Sequence, residues 1–343
     1  MLGKNVKSAS IRLSILSQIK SRNHHFIKHV ANEYRMTVQA VHRHVRWLEK
    51  YGYIASLGRT KGKEYFLGEN RYQHQTYKLK GLDENTVYLN DFDHIFEGLS
   101  NNVDQICHYG FTEMLNNAID HSEGVTVNIM AQNIDGEISI YILDDGEGVF
   151  ERIARILKLE NAHESILELS KGKLTTDPSN HSGEGIFFTS RAYETFAIFS
   201  GDLIFTHFDH YSDRLEYIDL TSNGTNIVMG ISTKSKKNIG DIFDQFSSGP
   251  DEYRFEKTVI PVRLAKLEGE KLVSRSQAKR LMRRVDKFKN VVLDFSGVGF
   301  IGQAFADEVF RVYADQHPDI KISAENLNDN GKKMMMRAIS NRA

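Results

Sequence analysis

Cysteine occurs once in the 343 residues, tryptophan once and proline four times. The single thiol, Cys107, excludes an intrachain disulfide and a cysteine-cluster metal site. It reads as a buried apolar residue, and a reducing cytoplasm is the natural setting. Also missing is any apolar run of the roughly 18 residues that a membrane span needs, and no apolar signal-peptide segment opens the chain. No membrane partner is expected. Net charge is nearly absent too, with 44 Lys and Arg against 45 Asp and Glu. That balance hides an asymmetry, because residues 1–75 hold 14 basic against 4 acidic residues and the other 268 carry about −11. A basic module on an acidic body points to a polyanion as the partner of the first part. The length suits three domains, placed at 1–75, 76–232 and 256–343 with a linker at 233–255.

In the basic part, Ile11, Leu13, Ile15, Leu16 and Ile19 predict an amphipathic helix over 10–21. A second helix is expected over 27–34, a tight connection at Arg35-Met36, and a third helix over 38–51 capped by Thr37, with Val41, Val45 and Leu48 inward. Strands at 53–57 and 64–67 then flank the basic turn 58–63. This order resembles a winged helix-turn-helix. The resemblance implies double-stranded DNA as partner, with Thr37, Gln39, Ala40, Arg43 and His44 towards bases or backbone, and Arg59, Lys61 and Lys63 on phosphates. Trp47 reads as helix packing. His24, His25 and His29 lack a nearby carboxylate or thiol and read as helix-end residues rather than metal ligands.

The organising stretch is 111–148. Glu113 and Asn117 stand four residues apart on one helical face, Leu115 and Ile119 point the other way, and Asp120-His121 follow without an assigned chemistry. Strands over 125–131 and 137–143, joined at Asp135-Gly136, deliver Asp144-Asp145-Gly146-Glu147-Gly148. Asp145 and Glu147 should face solvent. His181-Ser182-Gly183-Glu184-Gly185-Ile186 then runs into a helix start, where free N–H groups favour phosphate. The 34 or so residues between the glycine pairs read as a loop, a lid over 149–182.

Together with Gly224-Thr225, these motifs resemble the GHKL ATP-binding fold shared by gyrase, heat-shock chaperone, histidine kinase and mismatch-repair ATPases, over roughly residues 85–232. The resemblance implies ATP and Mg²⁺ as cofactors. Asn117 would hold the metal and Glu113 would act as the catalytic base near the γ-phosphate. Asp144 would take the adenine amine with support from Thr225. Gly146 and Gly148 would lie under the nucleotide, while Ser182, Gly183, Gly185 and Ile186 present backbone to the phosphates. Lys171 or Lys173 could reach the γ-phosphate, Lys173 being the one assigned, with a merely solvated lysine as the equal reading. A histidine kinase is disfavoured, because none of Pro178, Pro250, Pro261 and Pro318 follows a histidine as the phospho-acceptor motif of that family requires.

Beyond 255, strands at 258–264, 291–295 and 320–324 alternate with helices at 274–288, 303–316 and 326–339, a small α/β layer structure. Val291-Val-Leu-Asp-Phe-Ser-Gly-Val-Gly-Phe-Ile-Gly302 resembles the STAS domain of anti-anti-sigma factors, and 301–308 resembles a STAS-like family fused to such ATPases. At the place of the serine that regulated STAS domains phosphorylate, this chain has Gly302-Gln303-Ala304. Ser296 reads as a turn residue, and Phe300, Phe305 and Phe310 read as core.

The expected whole is a multidomain α+β chain: winged helix-turn-helix, GHKL α/β sandwich of the Bergerat type, and small STAS-like domain. Its expected function is that of an ATP-binding, slowly hydrolysing DNA-binding regulator, a homodimer recruiting an unknown protein through the STAS-like part. The alternative is an anti-sigma-type serine/threonine kinase acting on a separate STAS or sigma-factor partner.

Overall fold

In the computed structural model, which describes residues 6–59, 62–174, 183–209, 211–249, 252–266 and 270–340, the basic part begins with three helices. They are α1 (Val6–Lys20), α2 (Phe26–Glu33) and α3 (Val38–Lys50). Ile11, Ile15, Leu16 and Ile19 of α1 close on Val30 and on Val41, Val45 and Leu48 of α3, forming an apolar core of their own. The hairpin β1 (Ile54–Leu57) and β2 (Glu64–Leu67) pairs antiparallel from Ile54↔Leu67 to Leu57↔Glu64.

Three residues later the chain enters β3 (Arg71–Lys78), which runs across position 75 and pairs with a strand of the central sheet. The residues of β3, Arg71-Tyr-Gln-His-Gln-Thr-Tyr-Lys78, carry no aliphatic alternation because β3 is an edge strand with no strand beyond it. Short helices α4 (Glu84–Val87) and α5 (Asp93–Phe96) lead to the long α6 (Asn101–His121). On α6, Val103, Ile106, Cys107, Gly110, Phe111, Met114, Leu115 and Ala118 form one buried face at helical spacing.

The hairpin β4 (Thr126–Ile134) and β5 (Glu137–Asp144) buries Val127, Ile129 and Ala131 with Ile138, Ile140 and Ile142, the strict alternation of a half-covered sheet. After it come α7 (Val149–Leu157), α8 (Ala162–Lys171), α9 (Gly185–Ala192), β6 (Thr195–Phe208) and β7 (Tyr211–Ser232). The five-stranded sheet has the order β3-β4-β5-β7-β6, every pair antiparallel.

The 149–182 stretch is therefore not a loop over its described length. It forms two helices, and residues 163–171 of α8 are all buried; residues 175–182 lie outside the described residues. The sequence around α8, Ala-His-Glu-Ser-Ile-Leu-Glu-Leu-Ser-Lys171, looks solvated because its charges meet partners remote in sequence.

The 233–255 segment is also structured, as α10 (Ile239–Gln245) and a small pair β8 (Ser247–Gly249) with β9 (Glu252–Phe255). It buries Phe246 and Phe255 against Phe187 and Phe188 of α9, with ring centroids 4.6–6.1 Å apart. A parallel sheet follows, β10 (Lys257–Pro261), β11 (Asn290–Asp294) and β12 (Lys321–Glu325), in that spatial order. Its connections carry α11 (Arg275–Met282) and the run α12 (Gln303–Asp307), a π-helical stretch Glu308–Tyr313 and α13 (Ala314–Gln316); α14 (Asp329–Ser340) closes the chain. Ser274 and Gln277 form the capping box that starts α11. Phe305 and Phe310 are core as expected, whereas Phe300 is 45% exposed. No helix among the described residues is long and apolar enough to cross a membrane.

One apolar core runs through the five-stranded sheet and the parallel sheet alike, with α8 in between. The charges of α8 are matched across that contact. Glu164 accepts from Arg283 at 2.8 Å and Arg280 at 3.5 Å, and Glu168 accepts from Arg284 at 3.1 Å. Lys171 donates to Glu168 at 2.8 Å and to the Arg283 carbonyl at 2.8 Å. Burial drives the Lys171 ammonium down to about 8 from its ordinary 10.5, against the pull of Glu168. Between those two pH values the unfolded chain holds the extra proton, so this group's contribution to stability rises with pH through that window. We expect the melting temperature of the wild type to gain on that of Lys171→Met as pH is raised from about 8 to about 10.5, followed by calorimetry. A constant difference would contradict the buried ammonium.

Candidate functional site

Four separate segments converge on one cavity of about 280 Å³. From α6 come Glu113 and Asn117, held side by side by their four-residue spacing while Met114 and Leu115 anchor the helix below. The Asn117 side chain lines the cavity, and its amide nitrogen is buried with no hydrogen-bond partner among the described residues. Burial pushes the Tyr109 phenol up, and the charges of Glu113 and Glu184 add to it.

Asp144 ends β5 and lines the opposite end. Its Oδ1 accepts from Gly146 N at 2.9 Å and Thr225 N at 3.1 Å. Burial raises this carboxyl above the usual range, partly offset by those two N–H donors. Thr225 Oγ1 accepts from Val149 N at 3.0 Å, so Thr225 ties β7 to both the Asp144 turn and the start of α7. The link depends on Gly224, whose φ is +74° and where a Cβ would fall 2.0 Å from the Asp144 carbonyl oxygen.

The third contribution is the start of α9. Gly183, Gly185 and Ile186 line the cavity, and a Cβ on Gly185 would meet Glu113 Oε2 at 2.1 Å. Glycine here is what lets the carboxylate lie against the helix start.

Of the residues assigned to this site from sequence, Glu113, Asn117, Asp144, Gly148, Gly183, Gly185, Ile186 and Thr225 are together. Gly146 is not in the cavity wall; its N–H fixes Asp144 from behind. Lys173 is not in the wall either. Its ammonium donates to the Lys287 carbonyl at 3.0 Å and lies 4.9 Å from the centre of the Phe288 ring. Ser182 lies outside the described residues. Lys171, its rival for the γ-phosphate, is spent inside the α8 contact. The lining residues that were not read from sequence include Arg152 of α7, Leu169 of α8 and Leu174. The helical spacing of Val149, Ile153 and Leu157 was a legible signal for α7, but the length between glycine pairs masked it.

Asp145 faces solvent as expected, yet it closes the hairpin base by accepting from Val125 N at 2.7 Å and Thr126 N at 2.9 Å. Glu147 is exposed and paired with Arg155 at 2.6 Å. Cys107 is buried, which pushes its thiol up and leaves it unreactive.

On the basic part, Thr37 caps α3 by accepting from Ala40 N at 3.2 Å. Gln39 and Arg43 are exposed on α3, and Arg59 is exposed beyond β1. His44 is turned inward, and burial with the charges of Arg12 and Arg43 lowers its imidazole. Lys63 is tied back to Glu49 at 3.0 Å, and Lys61 lies outside the described residues. Arg12 covers the Trp47 ring at 3.6 Å, in line with Trp47 as packing.

Residues 277–332, from α11 into α14, match the family model of a STAS-like domain of unknown function (DUF4325). No curated protein matches the chain. Within the matched span Ser296 donates to Asp294 Oδ1 at 2.7 Å, a turn contact, and Gly302-Gln303-Ala304 brings no hydroxyl to the start of α12.

Gly185→Ala should leave the fold intact, since the clashing atom is the free end of a side chain and alanine favours a helix by about 1 kcal/mol. It should displace Glu113. We expect an unchanged or higher melting temperature together with a roughly hundredfold loss of any turnover that uses Glu113.

Proposed function

We propose that the chain is an ATP-binding, ATP-hydrolysing regulator that binds double-stranded DNA through its basic N-terminal part. The observation that carries the first half is the convergence of Glu113 and Asn117, Asp144 and Gly148, Gly183, Gly185 and Ile186, and Thr225 on one cavity, the residues to which the GHKL resemblance gives a role. Residues so far apart in sequence have no packing reason to share a wall.

The donor set fits a magnesium nucleotide. Asn117 would hold Mg²⁺ through its amide oxygen, a neutral hard ligand. Bound Mg²⁺ neutralises phosphate charge. Asp144, kept in place by two N–H donors on Oδ1, offers a carboxylate to an exocyclic amine, which selects adenine. The free N–H groups at the start of α9 favour phosphate. Glu113 orients the attacking water and takes its proton.

DNA binding rests on exposed Gln39, Arg43 and Arg59 together with the surplus of basic residues in 1–75. The STAS-like part would recruit a protein partner, and the assembly would be a homodimer.

Phosphate release from Mg-ATP is the test of the catalytic half. Glu113→Ala should cut release by roughly 10²-fold or more, and Asn117→Ala should remove Mg-dependent nucleotide binding. Transfer of labelled γ-phosphate to protein instead of water would replace this reading with the kinase. For the DNA half, Arg43→Ala should weaken duplex binding roughly tenfold in a retardation assay. Equal affinity of variant and wild type at every salt concentration would reject the assigned face.

A further inference from the structure

A second, larger cavity of about 500 Å³ lies between the β6–β7 hairpin, α10 and the parallel sheet. No motif in the sequence points to it. Pro261 and Asp294, which line it, end β10 and β11, so the cavity opens at the carboxyl ends of parallel strands, where open α/β sheets take ligands.

We propose that this cavity binds a small aliphatic ammonium compound. The key group is Asp213, 4% exposed, on β7. Its Oδ1 meets His207 Nδ1 at 2.6 Å, but Oδ2 is buried with no hydrogen-bond partner among the described residues. Burial raises this carboxyl, and the His207 hydrogen bond with the charges of Arg191, His207 and Arg263 outweighs it, leaving the group below the usual range and ionised. An ionised, desolvated oxygen without a donor is costly, and a ligand N–H removes the cost.

Of the cations in the wall, Lys237 and Arg191 are engaged elsewhere, and Lys236 is exposed. Lys237 gives its ammonium to the carbonyls of Arg191 and Tyr193, both at 2.8 Å, and to Asp209. Arg191 lies on the Phe187 ring at 3.6 Å and donates to the Phe187 carbonyl at 3.1 Å. Two more carboxylates complete the acidic side. Asp294 is held through Oδ1 by Ser296 N, Ser296 Oγ and Asn326 Nδ2, and Asp241 is exposed at the rim.

A metal ion is a poor occupant, since among the described residues no group of three or more His, Cys, Asp or Glu is disposed to hold one. The remaining wall sets the apolar Ile242, Phe246, Val259 and Pro261 beside Lys236, Asn238 and Gln245. Hydrocarbon walls with carboxylates suit an organic amine better than a hydrated inorganic cation. The size falls within the usual range for small-molecule sites.

The test is isothermal titration calorimetry of the full chain with putrescine and n-butylamine, with magnesium chloride and succinate as the other arms. Saturable binding of an amine is expected, weakened roughly tenfold or more in Asp213→Asn and in the rim variant Asp241→Asn. Asp241 is exposed, so its variant decides the matter even if Asp213→Asn does not fold. Asn117→Ala should bind the amine as the wild type does, which separates this site from the nucleotide cavity. Absence of saturable amine binding at millimolar concentrations, equal binding by wild type and Asp241→Asn, or tighter binding of Mg²⁺ or succinate would overturn the proposal.

Discussion

The structure depends on the burial of α8. A helix carrying Glu164, Glu168 and Lys171 is withdrawn from water on all sides, and each charge would be costly alone. The compensating arginines, Arg280, Arg283 and Arg284, all come from α11 and the turn just after it. The five-stranded sheet and the parallel sheet are therefore held to one another by charge matching as well as by a shared apolar core. Hydrophobic packing alone tolerates sliding; ion pairs of this geometry fix a register.

That contact is continuous with the first cavity. Leu169 of α8 and Leu174 line it, and between them Lys173 is gripped from the other side, its carbonyl accepting from Arg284 at 2.6 Å. From the opposite wall, Phe187 of α9 reaches Phe255 at 4.6 Å, and Phe255 reaches Phe288 at 5.3 Å. Two routes thus join the cavity to the STAS-like unit, one polar and one aromatic. An occupant that shifts Leu174 or Phe187 must strain one of them.

Much of this was legible in the sequence, and what was not has physical causes. The helices of the basic part and the alternation of strand and helix after 255 follow apolar periodicity, so their positions could be read to within a few residues. The cavity residues were legible because Glu113 with Asn117 and the glycine pairs are local patterns. Lys173 misled because a lysine near a glycine looks available, while its real partners, Lys287 and Phe288, are over a hundred residues away. The α8 charges misled for the same reason. Phe300 shows the converse, an aromatic residue assumed to be core that stands in solvent. Edge strand β3 was missed because edge strands lack the hydrophobic alternation by which strands are recognised.

That edge strand has a mechanical meaning. Only residues 68–70 separate β2 of the basic part from β3 of the central sheet, and the joint is braced rather than loose. Asn70 donates to the Tyr51 carbonyl at 3.0 Å and accepts from Asp135 N at 3.0 Å, while Lys20 reaches the Asp91 carbonyl at 3.3 Å and Arg71 the His94 carbonyl. Ile134 of β4 and Tyr72 of β3 even enter the apolar core of the basic part. The basic part is thus not a bead on a string: it is seated on the edge of the five-stranded sheet, with Asn70 tied to both.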